Sequence, residues 1–194
     1  MDLWGKRIGF ALTGSFCTLS RVLNELETLK NCGADVIPIV SETVWSTDTR
    51  FGTAKDFADK IKAICQREII HDIKGAEPIG PKNLLDALII APCTGNTVSK
   101  LANAVTDSCV AMAAKASLRN GNPLIIAVST NDGLGASAPN IGTLLARKNV
   151  YFVPFGQDDA EGKPTSLVAD MSLIVPTISK ALSGIQIQPM VVGC

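Results

Sequence analysis

The chain has 194 residues, of which 46% are hydrophobic and only 19% are charged, a composition that excludes an intrinsically disordered protein. Its 18 basic and 18 acidic side chains leave no net charge, so the basic surplus of a nucleic-acid-binding protein is missing. The apolar runs are short, and none reaches the roughly 20 residues that cross a bilayer. The first residues lack the apolar stretch of a signal peptide. We therefore expect a soluble, cytoplasmic protein that forms a single domain over residues 1–194.

Metal binding and disulfide bonding are not expected from the cysteine and histidine pattern. The six cysteines are scattered without a CxxC pair, and His71 is the single histidine. A structural zinc site needs clustered ligands, whereas isolated cysteines in an apolar chain are typical of core residues in a reducing compartment. We interpret His71 as a surface or loop residue.

Strands and helices alternate along the sequence. Five apolar runs predict strands, at residues 6–12, 34–40, 87–91, 123–129 and 150–154. Five stretches with helical spacing predict helices, at residues 16–31, 53–68, 96–118, 139–147 and 166–182. Strands that are apolar throughout are typical of a parallel sheet covered on both faces. We predict a three-layer, doubly wound α/β fold of Rossmann-like type. An apolar tail, 185–194, is expected to pack on this domain or on a neighbouring subunit.

Polar loops follow four of the predicted strands. They are rich in hydroxyls, amides and glycines, and they cover residues 13–16, 41–43, 92–97 and 129–135. Ligands of open α/β sheets bind outside the carboxyl ends of the strands. Because such loops lead into helix N-termini, they favour a phosphate or another anion. The alternative is that these residues only cap helices and form turns.

Three better-known motifs are missing. The loop after the first strand offers only Gly9 and Gly14, so a GxGxxG dinucleotide fingerprint is absent. The stretch 156–163 has one residue too many between its glycines for a P-loop, and no Gly-x-Ser-x-Gly elbow occurs. The sequence therefore argues against an NAD(P) site, an NTPase and an α/β-hydrolase on this chain.

One segment carries a family resemblance. Residues 92–103, PCTGNTVSKLAN, with Thr106 and Asp107 just after them, resemble the flavoprotein superfamily, which includes cysteine-type decarboxylases and flavin prenyltransferases. The resemblance implies a bound FMN, and it matches Lys100 and Asp107 to the family motif. It implies cofactor contacts from Gly14, Ser15, Ser41, Thr94, Asn96 and Thr97. Gly95 would allow the backbone to approach the ligand closely. The superfamily is usually trimeric or dodecameric, which implies a homo-oligomer with flavin sites at subunit contacts.

Longer segments, at 4–19, 78–103, 112–135 and 149–159, are similar to one branch of this superfamily, the B subunits of dipicolinate synthases. The resemblance implies an oxidoreductase subunit that acts with an A subunit carrying an NAD(P)-type Rossmann domain. Together they would form dipicolinic acid from a dihydro- or hydroxytetrahydrodipicolinate precursor in the mother cell of a sporulating bacterium. Two alternatives stay open: a flavin prenyltransferase-like enzyme, and a non-catalytic subunit that stabilises its partner.

The sequence departs from the decarboxylases at two positions. Pro78 stands where they carry a histidine, and residues 128–134 keep only Asn131 of their Pro-x-Met-Asn-x-x-Met segment. Cysteine decarboxylation is therefore not expected. A dicarboxylate substrate needs cationic partners, for which Arg119, Arg147 and Lys163 are candidates. Asn131 and Arg119 are the candidate catalytic residues.

Overall fold

The computed structural model describes residues 3–193, and within them seven strands form one sheet. The strands are β1 (Arg7–Leu12), β2 (Asp35–Val40), β3 (Ala87–Cys93), β4 (Leu124–Thr130), β5 (Val150–Phe152), β6 (Phe155–Gly156) and β7 (Leu167–Ala169). The helices are α1 (Phe16–Asn31), α2 (Glu42–Ser46), α3 (Ala54–Cys65), α4 (Ile73–Ala76), α5 (Gly95–Ala102), α6 (Cys109–Arg119), α7 (Ala138–Leu145) and α8 (Ile174–Leu182). The five predicted strands are present to within two residues at either end.

The first five strands pair in parallel, in the order β2-β1-β3-β4-β5. In this register Ile8 of β1 lies opposite Val36 on one side and Ala87 on the other. The strands β3 and β4 are buried along almost their whole length, as expected where helices cover both faces of a parallel sheet. The predicted three-layer α/β fold is confirmed.

Two groups of helices cover the sheet. Helices α1, α3 and α8 pack together in one group, and α4, α5, α6 and α7 form the other. Helix α1 illustrates how a helix packs on the sheet. Its buried residues Leu19, Val22, Leu26 and Leu29 recur at three- and four-residue spacing. The apolar stripe read from the sequence is thus the face that packs on the sheet.

The prediction of one continuous helix over residues 96–118 is wrong, because two helices form there. Helix α5 ends at Ala102 and α6 begins at Cys109, where the Ser108 side chain accepts a hydrogen bond from the Ala111 N–H. Between the helices, Ala104 has a φ of 56°, a left-handed conformation that stops a right-handed helix. The break makes α5 and α6 two separate helices, which still contact each other.

The prediction of a helix over residues 166–182 is also wrong for the first half of that range. Residues Leu167–Ala169 form β7, which pairs antiparallel with the end of β4 and with β6. A turn at Met171–Leu173 follows, in which the Asp170 carboxylate accepts a hydrogen bond from the Ser172 N–H, and α8 starts only at Ile174. This pairing brings the segment before β7 to the carboxyl end of β4.

The apolar tail packs back onto the sheet. The Phe155 N–H donates to the Met190 carbonyl (3.0 Å), and the Val192 N–H donates to the Phe155 carbonyl (3.0 Å). The Gln186 side chain bonds to both the N–H and the carbonyl of Phe152, at 2.8 and 2.7 Å. The last tail residue, Cys194, lies outside the described residues. Across residues 3–193, no helix has the length and apolar character needed to cross a membrane.

Candidate functional site

Hydroxyl side chains tie three strand ends together. The buried Thr13 hydroxyl donates to the Pro92 carbonyl (2.7 Å) and accepts from the Thr94 N–H (3.1 Å), which joins the loops after β1 and β3. The Ser15 and Ser129 hydroxyl oxygens lie 2.9 Å apart, which joins the first loop to the end of β4. These bonds fix the relative positions of the loops from which the sequence predicted ligand contacts.

Two neighbouring cavities open over this edge of the sheet. Cavity A has a volume of about 550 Å³, and its lining includes Ser15, Phe16, Arg21, Ser129, Asn131 and Lys163. Cavity B has a volume of about 290 Å³, and its lining includes Ser41, Glu42, Asn96, Thr97, Lys100 and Ser108. Gly14 and Thr94 line both cavities, so the two share a wall. The volume of cavity A falls within the range of about 300–1,000 Å³ that is usual for small-molecule sites.

The first turns of α1 and α5 lie at the two cavities. Thr94 caps α5, because its hydroxyl accepts a hydrogen bond from the Thr97 N–H (3.4 Å). Neither α1 nor α5 carries an acidic side chain in its first turn. The partial positive charge of these helix ends is therefore not neutralised by a carboxylate on the same helix, which favours an anionic ligand.

Gly95 lines cavity A and also packs tightly against the end of β4 and the loop that follows it. A Cβ atom at this position would lie 2.6 Å from the Thr130 hydroxyl oxygen, 2.8 Å from that of Ser137 and 2.9 Å from the Asp132 carboxylate. The lack of a Cβ atom thus lets α5 approach the end of β4 and the loop after it, and the close approach of a ligand to Gly95 stays a prediction. Asp132 accepts hydrogen bonds from both hydroxyls, and the bond from Thr130 lowers the pKa of this carboxyl most.

Basic side chains surround cavity A. Arg21, Arg50 and Lys163 all line it, whereas Asp158 is its one acidic lining residue within the described part of the chain. The Lys163 ammonium lies 3.4 Å from the Asp158 carboxylate. The Arg50 guanidinium lies 4.9 Å from the centre of the Phe51 ring. Cavity A is therefore suited to a ligand that carries carboxylates.

Cavity B combines one basic and one acidic side chain. Lys100 forms an ion pair with Asp107 at 2.8 Å, and its hydrogen bond lowers the pKa of the Asp107 carboxyl. The Glu42 carboxylate accepts a hydrogen bond from the Cys109 N–H (3.1 Å) at the start of α6. Ser41 caps α2 by accepting from the Val44 N–H (3.3 Å).

The predicted site residues fall into two groups. Gly14, Ser15, Ser41, Thr94, Asn96 and Thr97 all line cavity A or cavity B, and so do Asn131 and Lys163. Arg119 and Arg147 line a third cavity instead. Asn131 and Arg119, the two candidate catalytic residues, therefore do not share a site. His71 lines neither cavity A nor B, and its ring stacks on Trp45 with 4.0 Å between ring centres.

The buried thiols are poor nucleophiles. Burial raises the pKa of Cys65 to about 11 and that of Cys109 to about 12, and it raises that of Cys93 further. Only the thiolate form attacks, so these three cysteines act as small core residues. Cys17 is exposed and lines cavity A.

The comparison with protein families decides the relationship. The model of the family described as Flavoprotein matches residues 2–140. The chain belongs to the Flavoprotein family. The predicted resemblance to this superfamily is confirmed.

Within the Flavoprotein family, the chain is similar to two bacterial proteins over nearly its whole length. It is 52% identical over 191 residues to the B subunit of dipicolinate synthase from Bacillus subtilis (strain 168), covering 98% of this chain and 96% of that protein. It is 51% identical to the B subunit of dipicolinate synthase from Bacillus halodurans C, whose crystal structure it matches with a TM-score of 0.92 and coverage of 100% and 99%. The predicted similarity to this branch is confirmed.

A more distant flavoprotein shares the fold alone. The crystal structure of DmrB from Burkholderia xenovorans in complex with FMN, described as a cubic protein cage for redox transfer, is 17% identical, with a TM-score of 0.67. The match covers 92% of this chain and 96% of that one.

Sequence reasoning missed Arg21 and Arg50 in this flavoprotein. Arg21 follows Cys17 by four residues on α1, so the helical period places both on the same face, next to the loop after β1. That spacing could have identified it. Arg50 lies in the irregular segment between α2 and α3, and no periodicity there predicts that its side chain lines cavity A.

Proposed function

We propose that this single-domain chain binds FMN across cavities A and B and acts as the flavin subunit of a two-subunit dipicolinate synthase. The observation that carries the proposal is the shared wall of the two cavities, one lined by hydroxyls beside a helix N-terminus and the other by basic and aromatic side chains. The residues proposed to hold the cofactor are Gly14, Ser15, Ser41, Thr94, Asn96 and Thr97.

Cavity B suits the phosphate and ribityl groups. The Thr94 and Thr97 hydroxyls lie 3.2 Å apart at the start of α5, and Asn96 and Lys100 line the same cavity. Hydroxyls, an amide, an ammonium and the first N–H groups of a helix together match the oxygens of a phosphate ester. The Glu42 carboxylate also lines cavity B, and it accepts a hydrogen bond from the Cys109 N–H at the start of α6.

Cavity A suits the ring system and the substrate. Phe16, Phe51 and Val168 give it apolar surface, while Ser129 and Asn131 supply polar groups that can bond to the ring edge or to a substrate. Arg21, Arg50 and Lys163 supply the cations that the two carboxylates of a dipicolinate precursor require. This assigns the carboxylates to cavity A and leaves Arg119 without a role in the reaction.

The reaction proposed for this site is an aromatisation. Converting a dihydropyridine dicarboxylate to the pyridine removes two electrons and two protons, and a flavin, when bound, supplies the two-electron acceptor. The residues of this chain would bind the carboxylates, orient the ring through Asn131, and limit the access of water through Phe16 and Phe51. In the proposal, the A subunit carries the NAD(P)-type domain, and the two subunits work in the cytoplasm of the sporulating cell.

The assembly forms part of the same proposal. Both close relatives are named as the B subunit of their enzyme, which supports a second kind of subunit. The distant relative that is described as a cage supports association of several copies of one chain. We propose a homo-oligomer, a trimer or a dodecamer, that associates with the A subunit.

The proposal is tested first by titrating the purified chain with FMN and following the quenching of flavin fluorescence. We expect stoichiometric binding, weakened about tenfold in Thr97→Ala and in Ser41→Ala, because each substitution removes a hydroxyl that lines cavity B. Thr143→Ala is the matched control, because this exposed hydroxyl bonds only within α7, to the Pro139 carbonyl. An absence of quenching at high FMN would exclude flavin binding.

The second test assigns the oxidation. Product formation is measured with this chain alone, with the A subunit alone, and with both. Activity only in the mixture, abolished by Asn96→Ala together with FMN binding, supports a flavin-dependent step. Activity in the mixture that Asn96→Ala leaves intact favours oxidation by the nicotinamide of the A subunit and a stabilising role for this chain. Turnover of a prenyl phosphate by this chain alone would favour the prenyltransferase alternative.

A further inference from the structure

A third cavity, which we call the basic cavity, adjoins cavity B, with which it shares Lys100. Its volume is about 550 Å³, and it extends from the last turn of α5 to the amino end of β4. Four cations that lie outside cavity B line it, Lys115, Arg119, Arg147 and Lys148, together with Lys100. Leu118 and Leu124 form part of its apolar wall. Within residues 3–193, no acidic side chain lines this cavity.

The cations of the basic cavity come from two sides. Lys115 and Arg119 are four residues apart on α6 and therefore lie on the same helix face. Arg147 and Lys148 follow α7, and the Arg147 guanidinium donates to the Leu101 carbonyl (3.0 Å) at the end of α5. That bond holds the Arg147 side chain in place, so at least one of the cations is ordered without a ligand.

These four charges are not neutralised by the protein. Among the described residues, none of the four forms an ion pair with a carboxylate, and the nearby Asp107 is paired with Lys100. The chain as a whole has no net charge, so the concentration of positive charge here is local. A concavity with low-dielectric walls and charges of one sign strengthens the local field and attracts counter-ions.

We propose that the basic cavity binds a small organic dianion, with two carboxylates or phosphates on an apolar body. The two pairs of cations suit two anionic groups, and the leucine side chains suit the body between them. The volume and concavity favour a small molecule over an acidic protein surface. Arg119 and Arg147 line neither cavity A nor cavity B, and the inference does not depend on flavin binding.

The test uses benzene-1,3-dicarboxylate as the probe and isothermal titration calorimetry of the full chain. Cavity A also has basic side chains, so the titration is made in a background that carries Arg21→Gln and Lys163→Gln. We expect one site per chain, weakened about tenfold by adding Arg119→Gln and about tenfold by adding Arg147→Gln, since each removes a charge-assisted hydrogen bond. Adding Arg67→Gln, which lies outside the basic cavity, is the control and leaves the affinity unchanged.

Three results would overturn the proposal. One is that the probe does not bind in the Arg21→Gln, Lys163→Gln background. Another is that Arg119→Gln and Arg147→Gln leave its affinity unchanged. The third is that inorganic phosphate or the neutral benzene-1,3-dicarboxamide binds as tightly as the dicarboxylate. A parallel FMN titration of the same variants separates this outcome from a failure of flavin binding, because Arg119 and Arg147 line neither cavity A nor cavity B.

Discussion

At the scale of single residues, Gly95 is the glycine of the candidate site that has the least room for a side chain. A methyl group there would lie within 3 Å of side-chain oxygens of Thr130, Asp132 and Ser137, which are already bonded to one another. We expect Gly95→Ala to lower the free energy of unfolding by about 1–3 kcal/mol and to weaken FMN binding, because α5 must move away from the loop after β4. Urea denaturation and the FMN titration measure the two effects.

Gly142→Ala is the matched control for Gly95→Ala. Gly142 lies within α7, and a Cβ atom there would meet no other atom within 4 Å. Gly142→Ala should raise the free energy of unfolding by about 0.5–1 kcal/mol, the usual gain when alanine replaces glycine inside a helix without strain. If Gly95→Ala were equally stabilising, the close contact between α5 and the loop after β4 would not exist in solution.

Asp132 makes the same loop sensitive to acid. Its folded-state pKa is lowered, chiefly by the hydrogen bond from Thr130, so its contribution to stability is present above the unfolded pKa of about 3.9 and is lost as the pH falls through the folded value. We expect Asp132→Asn to cost about 1–2 kcal/mol at pH 7 and less at pH 3.5. Urea denaturation at both pH values measures this.

The control for Asp132→Asn is Asp59→Asn, because Asp59 is exposed on α3 and forms no ion pair within residues 3–193. Its effect should be small at both pH values. A cost of Asp132→Asn that stayed constant between pH 7 and pH 3.5 would contradict the role given to the ionised carboxylate.

At the scale of elements, the break between α5 and α6 supplies a prediction. Ala104 holds a left-handed conformation, which costs a residue with a Cβ roughly 1–2 kcal/mol. Ala104→Gly should therefore raise the free energy of unfolding by about 0.5–1 kcal/mol after the greater freedom of glycine in the unfolded chain is counted. Ala63→Gly, at an exposed position of α3, should lower it by about 1 kcal/mol. Destabilisation by both would mean that the two helices are continuous in solution.

The same break shows what the sequence could predict about elements and what it could not. The central strands are apolar runs because helices cover both of their faces, so composition was sufficient to find them. The polar cluster Asn103, Thr106, Asp107 and Ser108 contained the end of one helix and the cap of the next, but the apolar spacing around it continued. Strand β7 could not be predicted, because three residues carry no periodicity and its pairing with β4 is long-range.

At the scale of the whole molecule, the loops at the carboxyl ends of the strands could be predicted because parallel topology brings them to one edge. The family motif, residues 92–103, contains four of the residues that line cavity B, Thr94, Asn96, Thr97 and Lys100, which are close in sequence. The basic residues could not be ranked. Arg119 and Lys163 are both isolated basic residues in the sequence, yet Arg119 lines the basic cavity, whereas Lys163 reaches cavity A only because β7 pairs with β4.

Because Arg21 and Arg50 line cavity A and Arg119 lines the basic cavity, their substitutions should affect substrate binding differently. If the substrate carboxylates bind in cavity A, Arg21→Gln and Arg50→Gln should each raise the KM for the dicarboxylate substrate about tenfold in the presence of the A subunit. The kcat should change less, because the lost contacts are made to the bound substrate as well as to the transition state. The FMN affinity should stay within about twofold, because the proposal gives both residues to the substrate carboxylates and neither to the cofactor.

Arg119→Gln is the matched control for Arg21→Gln and Arg50→Gln. It removes the same charge from the surface of the same protein, but from the basic cavity, so the KM should stay at the wild-type value. If Arg119→Gln raised the KM and Arg21→Gln and Arg50→Gln did not, the substrate would bind in the basic cavity. The carboxylates would then lie outside cavities A and B, and the chain would have to associate with its partner so that the reacting groups meet there.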